Sequence, residues 1–329
     1  MKLDLRRITL AQDVLEAVGS QLLDVIIVGG GPAGLAAAMY ATRFGLNTLI
    51  ITEDVGGQLT KAGLIEDYLG FRSVQGPELA RVFESHVRKY GVSILLDKVE
   101  DIRRDGGSFV IKTENSGDFR SLTAIIAVGE RRKKLGVPGE EEFNARGVSY
   151  CAPCDAPLFR DKVVAVMGGG DAAAQAALLL TNYASKIYLI HKRDRLRAQP
   201  HYQKLLNHEK IEILWNTIVK ELRGDKALRE AVIKRTDTGE EGVLKIDGIF
   251  IEIGAEPPAE FFKRIGLITT DDGYVKVNEA METNIPGLFA AGDCTSAMPR
   301  GFKQIQIAAA HGAIAAYSAY NYILKLRGG

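Results

Sequence analysis

Cysteine is scarce in this chain, with three residues among 329. Cys151 and Cys154 form a Cys-x-x-Cys pair, and Cys294 stands alone. A structural zinc site needs a second pair of ligands at suitable spacing. None is on offer, because His86, His191, His201, His208 and His311 show no His-x-x-x-His grouping. Excess charge of one sign is lacking too. The 42 Lys and Arg residues against 41 Asp and Glu leave a net charge of +1. That balance gives no global reason to expect nucleic acid or an anionic membrane as partner. No apolar run approaches the roughly 20 residues of a membrane span. Residues 1–20 carry Asp4, Asp13 and Glu16 and lack the apolar region of a secretory signal. They read as an amphipathic segment packed on the body, and the expected location is cytoplasmic. A hydrophobic content of 46% and a charged content of 25% are ordinary for a soluble globular protein. The length predicts about two domains.

What the chain does have centres on Cys151-Ala152-Pro153-Cys154-Asp155. In a cytosolic protein such a pair is more often catalytic than an inert cross-link. A carboxylate follows the second thiol at once, and two Gly-rich turns flank the pair.

The first turn follows a predicted buried strand at 22–28. Gly29-Gly30-Gly31-Pro32-Ala33-Gly34 runs from it into a predicted helix over 35–44. The glycines permit a tight turn and close approach to a pyrophosphate, and the helix N-terminus faces the negative charge. The next predicted strand, 47–52, ends in Thr52-Glu53. Glu53 lies 24 residues after Gly29 (53 − 29), placed to bond a ribose hydroxyl. Gly56-Gly57-Gln58-Leu59-Thr60 follows, a loop whose backbone can lie against a planar ligand. A helix is predicted at 77–90, a strand at 92–96 and an antiparallel meander over 99–113 and 119–121. A further apolar stretch, 122–128, ends at Gly129. Glu130-Arg131-Arg132-Lys133-Lys134 reads as a linker rather than a nucleic-acid patch, because no aromatics are interleaved.

After the dithiol the pattern restarts. A strand at 162–167 enters Gly168-Gly169-Gly170-Asp171-Ala172-Ala173, 139 residues after the first turn (168 − 29). This is an internal repeat of a nucleotide-binding unit. Its second strand, 186–190, ends in His191-Lys192-Arg193-Asp194-Arg195-Leu196-Arg197 where the first copy has Glu53. Basic side chains accommodate a 2′-phosphate that a carboxylate would repel, so this copy predicts NADP rather than NAD. Strands at 211–215, 217–222, 231–236 and 248–253 are expected to close the unit. Gly254 to Pro258 reads as a second linker. A strand over 286–293 then ends in Gly292-Asp293, and an Ala-rich helix is expected over 302–325.

With these residues in place the chain resembles the low-molecular-weight thioredoxin reductases over nearly all of its length from Leu22. The resemblance rests on both Gly-rich turns, Gly-Gly-Gln-Leu at Gly56, Cys-x-x-Cys-Asp at Cys151, His-Lys-Arg-Asp at His191, Ala-Ala-Gly-Asp at Ala290 and Lys303-Gln304-Ile305. It implies an α/β fold with two Rossmann-like, three-layer ββα nucleotide-binding domains, the second inserted in the first. Residues 1–130 and 257–329 would bind FAD, and residues 131–256 would bind NADPH and carry the dithiol. It implies an FAD site at Gly29, Gly31, Pro32, Ala33, Gly34, Thr52, Glu53, Gly57, Gln58, Leu59, Asp67, Val99, Gly129, Gly292, Asp293, Lys303, Gln304 and Ile305. The NADPH site would be Gly168, Gly170, Asp171, Ala172, Ala173, His191, Lys192, Arg193, Arg197 and Gly254. Cys154 would face the flavin, Cys151 would attack the substrate disulfide and Asp155 would serve as acid–base group. The implied partner is thioredoxin or a similar small dithiol protein, the implied assembly a homodimer, and the two linkers the hinges of a rotating NADPH domain.

Several positions depart from the family pattern. Pro153 replaces a usual Thr, Ala156 a usual Gly, and Val128 the Thr of Ala-Thr-Gly. In the second turn, Asp171-Ala172-Ala173-Ala174-Gln175-Ala176 lacks the usual hydroxyl and paired Glu residues. The departures keep two other readings open: a flavoprotein with a different electron donor, similar to ferredoxin–NADP reductases, and a flavin redox sensor. Cys294 reads as a small buried residue.

Overall fold

The structure is a computed structural model that describes residues 21–298 and 302–328. The amphipathic segment expected over residues 1–20 lies outside them. β1 (Leu22–Gly30) forms because Val25, Ile26, Ile27 and Val28 are a continuous apolar run buried on both faces. It turns at Gly31 into α1 (Pro32–Arg43), where Pro32 takes a first-turn position that has no ladder bond to lose. β2 (Thr48–Val55) then pairs with β1 in parallel. The short strands β3 (Leu64–Ile65) and β4 (Val74–Gln75) precede α2 (Gly76–Lys89) and β5 (Ser93–Leu96). β6 (Val99–Asp105), β7 (Ser108–Thr113) and β8 (Asp118–Ile126) form the antiparallel meander. The expected separate pieces at 119–121 and 122–128 are thus one strand.

The chain crosses next into β9 (Arg131–Arg132) and β10 (Val148–Ser149), and the dithiol follows in α3 (Ala152–Asp155). A second parallel unit is built from β11 (Val163–Gly168), α4 (Asp171–Leu180), β12 (Lys186–Ile190), α5 (Pro200–Leu205) and β13 (Ile211–Leu214). β14 (Thr217–Gly224), β15 (Leu228–Arg235) and β16 (Glu241–Lys245) make an antiparallel sheet of their own. β17 (Gly248–Glu252) returns to the parallel sheet, which runs β10-β17-β11-β12-β13. The expected strands at 217–222 and 231–236 therefore cover this unit rather than extend its parallel sheet. Alternate residues of β11 and β17 face opposite ways. Val164, Val166 and Phe250 pack on α4, while Ala165, Met167, Ile249 and Ile251 meet Val219, Leu222 and Ala231 of the antiparallel layer. That is a ββα stack.

β18 (Ala255–Glu256) pairs antiparallel with β9. The two stretches read as irregular linkers are in fact zipped to each other. α6 (Ala259–Arg264) and β19 (Leu288–Ala290) lead back to the first sheet, ordered β5-β2-β1-β8-β7-β6. β7 pairs with the first half of β8 and β19 with the second. β19 is shorter than expected because the chain winds into a 3-10 turn at Gly292–Cys294. α7 (Ile305–Gly328) closes the fold against α1 through Ala33, Ala37, Ala38, Ala41, Ala308, Ala315, Ala316 and Ala319.

Small residues let α1 and α7 approach until backbone meets side chain. A Cβ at Gly312 would stand 2.0 Å from the Ala33 carbonyl oxygen. Gly312→Ala should therefore cost about 1–3 kcal/mol as overpacking, despite Ala's better helix propensity of about 1 kcal/mol. A chemical denaturation midpoint equal to wild type would contradict this packing.

Candidate active site

The first Gly-rich turn is pressed between strands. Gly29 has φ +111°, and a Cβ there would lie 2.4 Å from the Ala127 oxygen. A Cβ on Gly34 would lie 1.9 Å from the Gly29 oxygen. Gly31, by contrast, faces open space. The Gly30 N–H donates to Thr52 Oγ1 at 2.8 Å, and that hydroxyl donates to the Asp54 oxygen at 2.6 Å. No side chain caps the start of α1, so its N–H groups remain free for an anion.

Other segments converge on this turn. A Cβ on Gly57 would lie 3.3 Å from Gly31 Cα, and one on Gly292 would lie 2.9 Å from Ala33 Cβ. Asp293 follows Gly292 with its Oδ1 buried and without a hydrogen-bond partner. Burial first, then repulsion from Glu130, pushes its carboxyl up to about 6, against the attraction of Lys303 and Arg132. A buried, unsatisfied acceptor beside a bare helix N-terminus is a site shaped for a polar ligand. Lys303 Nζ donates to the Asp293 backbone oxygen at 2.8 Å. Gln304 and Ile305 are half-buried at the start of α7, and Leu59 is buried. Gly129 takes φ +64° just beyond β8. Glu53 lies exposed on β2, 3.7 Å from Arg131. Val99 joins the core under the opposite face of the sheet.

The dithiol is closed. Cys151 and Cys154 form a disulfide across α3 with Cα atoms 5.3 Å apart. Pro153 falls in the first turn, where its missing N–H costs no helical bond. Ser149 Oγ donates to Asp155 Oδ2 at 2.6 Å and accepts the Cys151 N–H at 3.1 Å. Burial holds the Asp155 carboxyl above its ordinary range, Ser149 opposes the shift and Asp67 adds to it. Asp67 therefore stands near the dithiol as well as near α7, whose Gln306 donates to its backbone oxygen at 2.8 Å. Cys294 is buried, with its thiol donating to the Ala291 oxygen at 3.3 Å and pushed up to about 12 by burial.

The second turn is built like the first. A Cβ on Gly168 would meet the Glu252 oxygen at 2.5 Å, whereas Gly170 faces open space. His191 lies under the turn, since a Cβ on Gly169 would reach its ring at 2.2 Å. It is buried edge-on to Trp215, and burial lowers its pKa. Ala173 is fully buried and Ala172 half-buried. Ala173 and His191 thus pack the turn, leaving mainly backbone for a ligand at those two positions. Asp171 is already engaged, accepting the Gln199 backbone N–H at 2.7 Å and its side-chain amide at 2.9 Å. Lys192, Arg193 and Arg197 are exposed and make no ion pair among the described residues. Gly254 takes φ +102°, and its oxygen accepts the Lys133 N–H inside the linker ribbon.

Residues 23–312 match the pyridine nucleotide-disulphide oxidoreductase family. The chain belongs to that family. The thioredoxin reductase of Bacillus subtilis is 40% identical over 310 residues, which cover 93% of this chain and 96% of the relative. The structure of thioredoxin reductase from Streptococcus pyogenes MGAS5005 superposes with a TM-score of 0.87 at 36% identity, covering 92% of this chain and 99% of that one. Lactococcus lactis thioredoxin reductase in its FR conformation gives 0.63 at 40% identity over the same shares. The family resemblance drawn from the motifs is borne out.

Ser149 on Asp155, Gln199 on Asp171 and Glu130 near Asp293 belong to no motif of the sequence. Only the placement of Ser149 two residues before Cys151 could have hinted at its role. The Asp155 geometry has a direct consequence. Ser149→Ala removes a bond that favours the ionised carboxylate, so Asp155 should hold its proton to higher pH. Reaction of the reduced dithiol with a small aromatic disulfide should show an Asp155-linked limb that moves upward in Ser149→Ala and vanishes in Asp155→Asn. A limb that survives Asp155→Asn would assign that proton elsewhere.

Proposed function

We propose that this protein is an FAD-dependent thioredoxin-disulfide reductase that draws electrons from NADPH and delivers them through Cys151 and Cys154. The observation that carries this reading is the closed Cys151–Cys154 disulfide, with Asp155 bonded to Ser149, set between two bare Gly-rich turns. Residues 1–130 and 257–329 form the FAD domain and residues 131–256 the inserted NADPH domain. The orphaned Asp293 Oδ1 and the open Gly31 support FAD at the first turn. Gly29, Gly31, Pro32, Ala33 and Gly34 supply the turn, and Thr52 and Glu53 stand on β2. Gly57, Gln58, Leu59, Asp67, Gly129, Gly292, Asp293, Lys303, Gln304 and Ile305 complete the site, to which Val99, with its side chain packed into the core, would add only backbone. Flavin, when bound, relays an electron pair between a nicotinamide and a disulfide.

At the second turn, Gly168, Gly170, Asp171, Ala172 and Ala173 offer backbone N–H groups. Lys192, Arg193 and Arg197 are free to take a 2′-phosphate, His191 packs beneath the turn, and Gly254 belongs to the same proposed site. A direct flavin-to-iron–sulfur transfer would need no dithiol, which disfavours the ferredoxin-type alternative.

The exchange itself belongs to the thiols. Cys151 as thiolate attacks the partner's disulfide, one partner sulfur leaves as thiolate, and Asp155 supplies the proton it takes up. Cys154 then attacks the Cys151 sulfur, releasing the partner's second thiolate and restoring the disulfide. Two electrons pass to the partner, and the dithiol is oxidised. Asp67 beside Asp155 supports a pose in which the dithiol faces the FAD domain. A partner protein would reach Cys151 after the NADPH domain swings about the β9–β18 ribbon. The partner is thioredoxin or a similar small dithiol protein, the assembly a homodimer and the location cytoplasmic. No described helix is long and apolar enough to cross a membrane. NADPH oxidation with a thioredoxin-like disulfide as acceptor should run in wild type and fall to background in Cys151→Ser. Turnover that survives this substitution would refute the assignment.

A further inference from the structure

One buried ion pair has no part in the scheme above. Glu130 and Lys303 stand 3.5 Å apart with side chains only 3% and 10% exposed. No other ion pair among the described residues has both members so buried. Glu130 Oε2 also accepts the Tyr274 hydroxyl at 2.8 Å. The Lys303 ammonium lies 4.3 Å from the centroid of the Tyr274 ring and donates to the Asp293 backbone oxygen at 2.8 Å. Gln58 Nε2 donates to the Glu130 backbone oxygen at 3.3 Å. Arg132 and the Asp293 carboxyl also face the cluster, with Asp272 acting on Tyr274 and His311 within reach of the Lys303 charge.

Stability is a poor reason to bury such a pair, because desolvating two ions costs several kcal/mol each and a hydrophobic replacement is often no worse. Its position offers a better reason. Gln58, Asp293 and Lys303 all come from segments assigned to the flavin, and Lys303 directly precedes Gln304 and Ile305. In a low-dielectric pocket a lone ammonium acts strongly on a neighbour that changes charge. Reduction adds negative charge to a flavin, so an unmatched Lys303 would favour the reduced form and hold electrons there.

We propose that Glu130 is a positioning residue that fixes and neutralises Lys303 beside the bound flavin, keeping its reduction potential low enough for electrons to move on to the Cys151–Cys154 disulfide. Tyr274 holds the Glu130 carboxylate in that role. The inference rests on the reading that FAD binds at the first Gly-rich turn beside Asp293.

The test is the reduction potential of the bound flavin in holoprotein carrying Cys151→Ser and Cys154→Ser, so that only the flavin titrates. Adding Glu130→Gln should shift the reduced-to-oxidised ratio at fixed poise at least tenfold toward reduced, about 30 mV for a two-electron couple. Adding Lys303→Met as well should bring the potential back to that of the parent. A Glu130→Gln potential equal to the parent's overturns the inference, as does a double substitution that stays shifted. Should Glu130→Gln purify without flavin, retention of flavin by the double substitution supports the same neutralisation. Loss in both makes the pair structural and overturns it. A parent protein without FAD would sink the flavin reading itself, and this inference with it.

Discussion

Backbone packed directly on backbone, at positions where any side chain would collide, sets the geometry of both nucleotide turns. Gly34 sits on the Gly29 carbonyl, Gly29 on Ala127 and Gly168 on the Glu252 carbonyl. These contacts press each turn against the carboxyl end of its strand, and the third glycine of each run, Gly31 or Gly170, faces open space. The helix N–H groups at both turns are left without side-chain caps, available to an anion. Gly312 extends the same device to the last helix, which carries Gln304 and Ile305 toward the first turn.

The dithiol depends on a different arrangement. It lies where β10 ends and α3 begins, on the unit connected to the rest of the fold through β9 and β18. The basic run beside it is fully matched. Arg131 meets Glu53, Arg132 meets Glu252, Lys133 meets Glu256 and Lys134 meets Glu141. The three exposed pairs contribute little stability each, whereas the Glu252 side chain in the Arg132 pair is buried. The pairs with Glu53 and Glu252 tie the ribbon to one sheet and to the other. The ribbon is thus a narrow connection, two strands of two residues each flanked mostly by exposed ion pairs, which suits a hinge.

Much of this was legible in the sequence, because the signals are local. The Gly-rich turns, the strands feeding them and the Cys-x-x-Cys-Asp run each declare themselves within about a dozen residues. The misread parts depend on distant partners. β8 looked like two pieces because Ser121 and Thr123 interrupt its apolar pattern. Both are buried, with hydroxyls donating to the backbone oxygens of Thr123 and Asp24. Pairing of β9 with β18 joins residues more than a hundred positions apart, which no periodicity reports. The same holds for the site. Thr52 and Asp293 fall in motifs, whereas Gln199 on Asp171 and Tyr274 on Glu130 are brought there only by the fold.

One electron path, from NADPH through bound flavin into the Cys151–Cys154 disulfide, underlies the proposed function. Anaerobic titration of the oxidised holoprotein with NADPH, followed by the flavin absorbance, tests it directly. Flavin and disulfide each accept an electron pair. Wild type should therefore consume about twice as much NADPH before full bleaching as a Cys151→Ser/Cys154→Ser variant. Equal consumption by the two proteins would place the disulfide off the path and contradict the account.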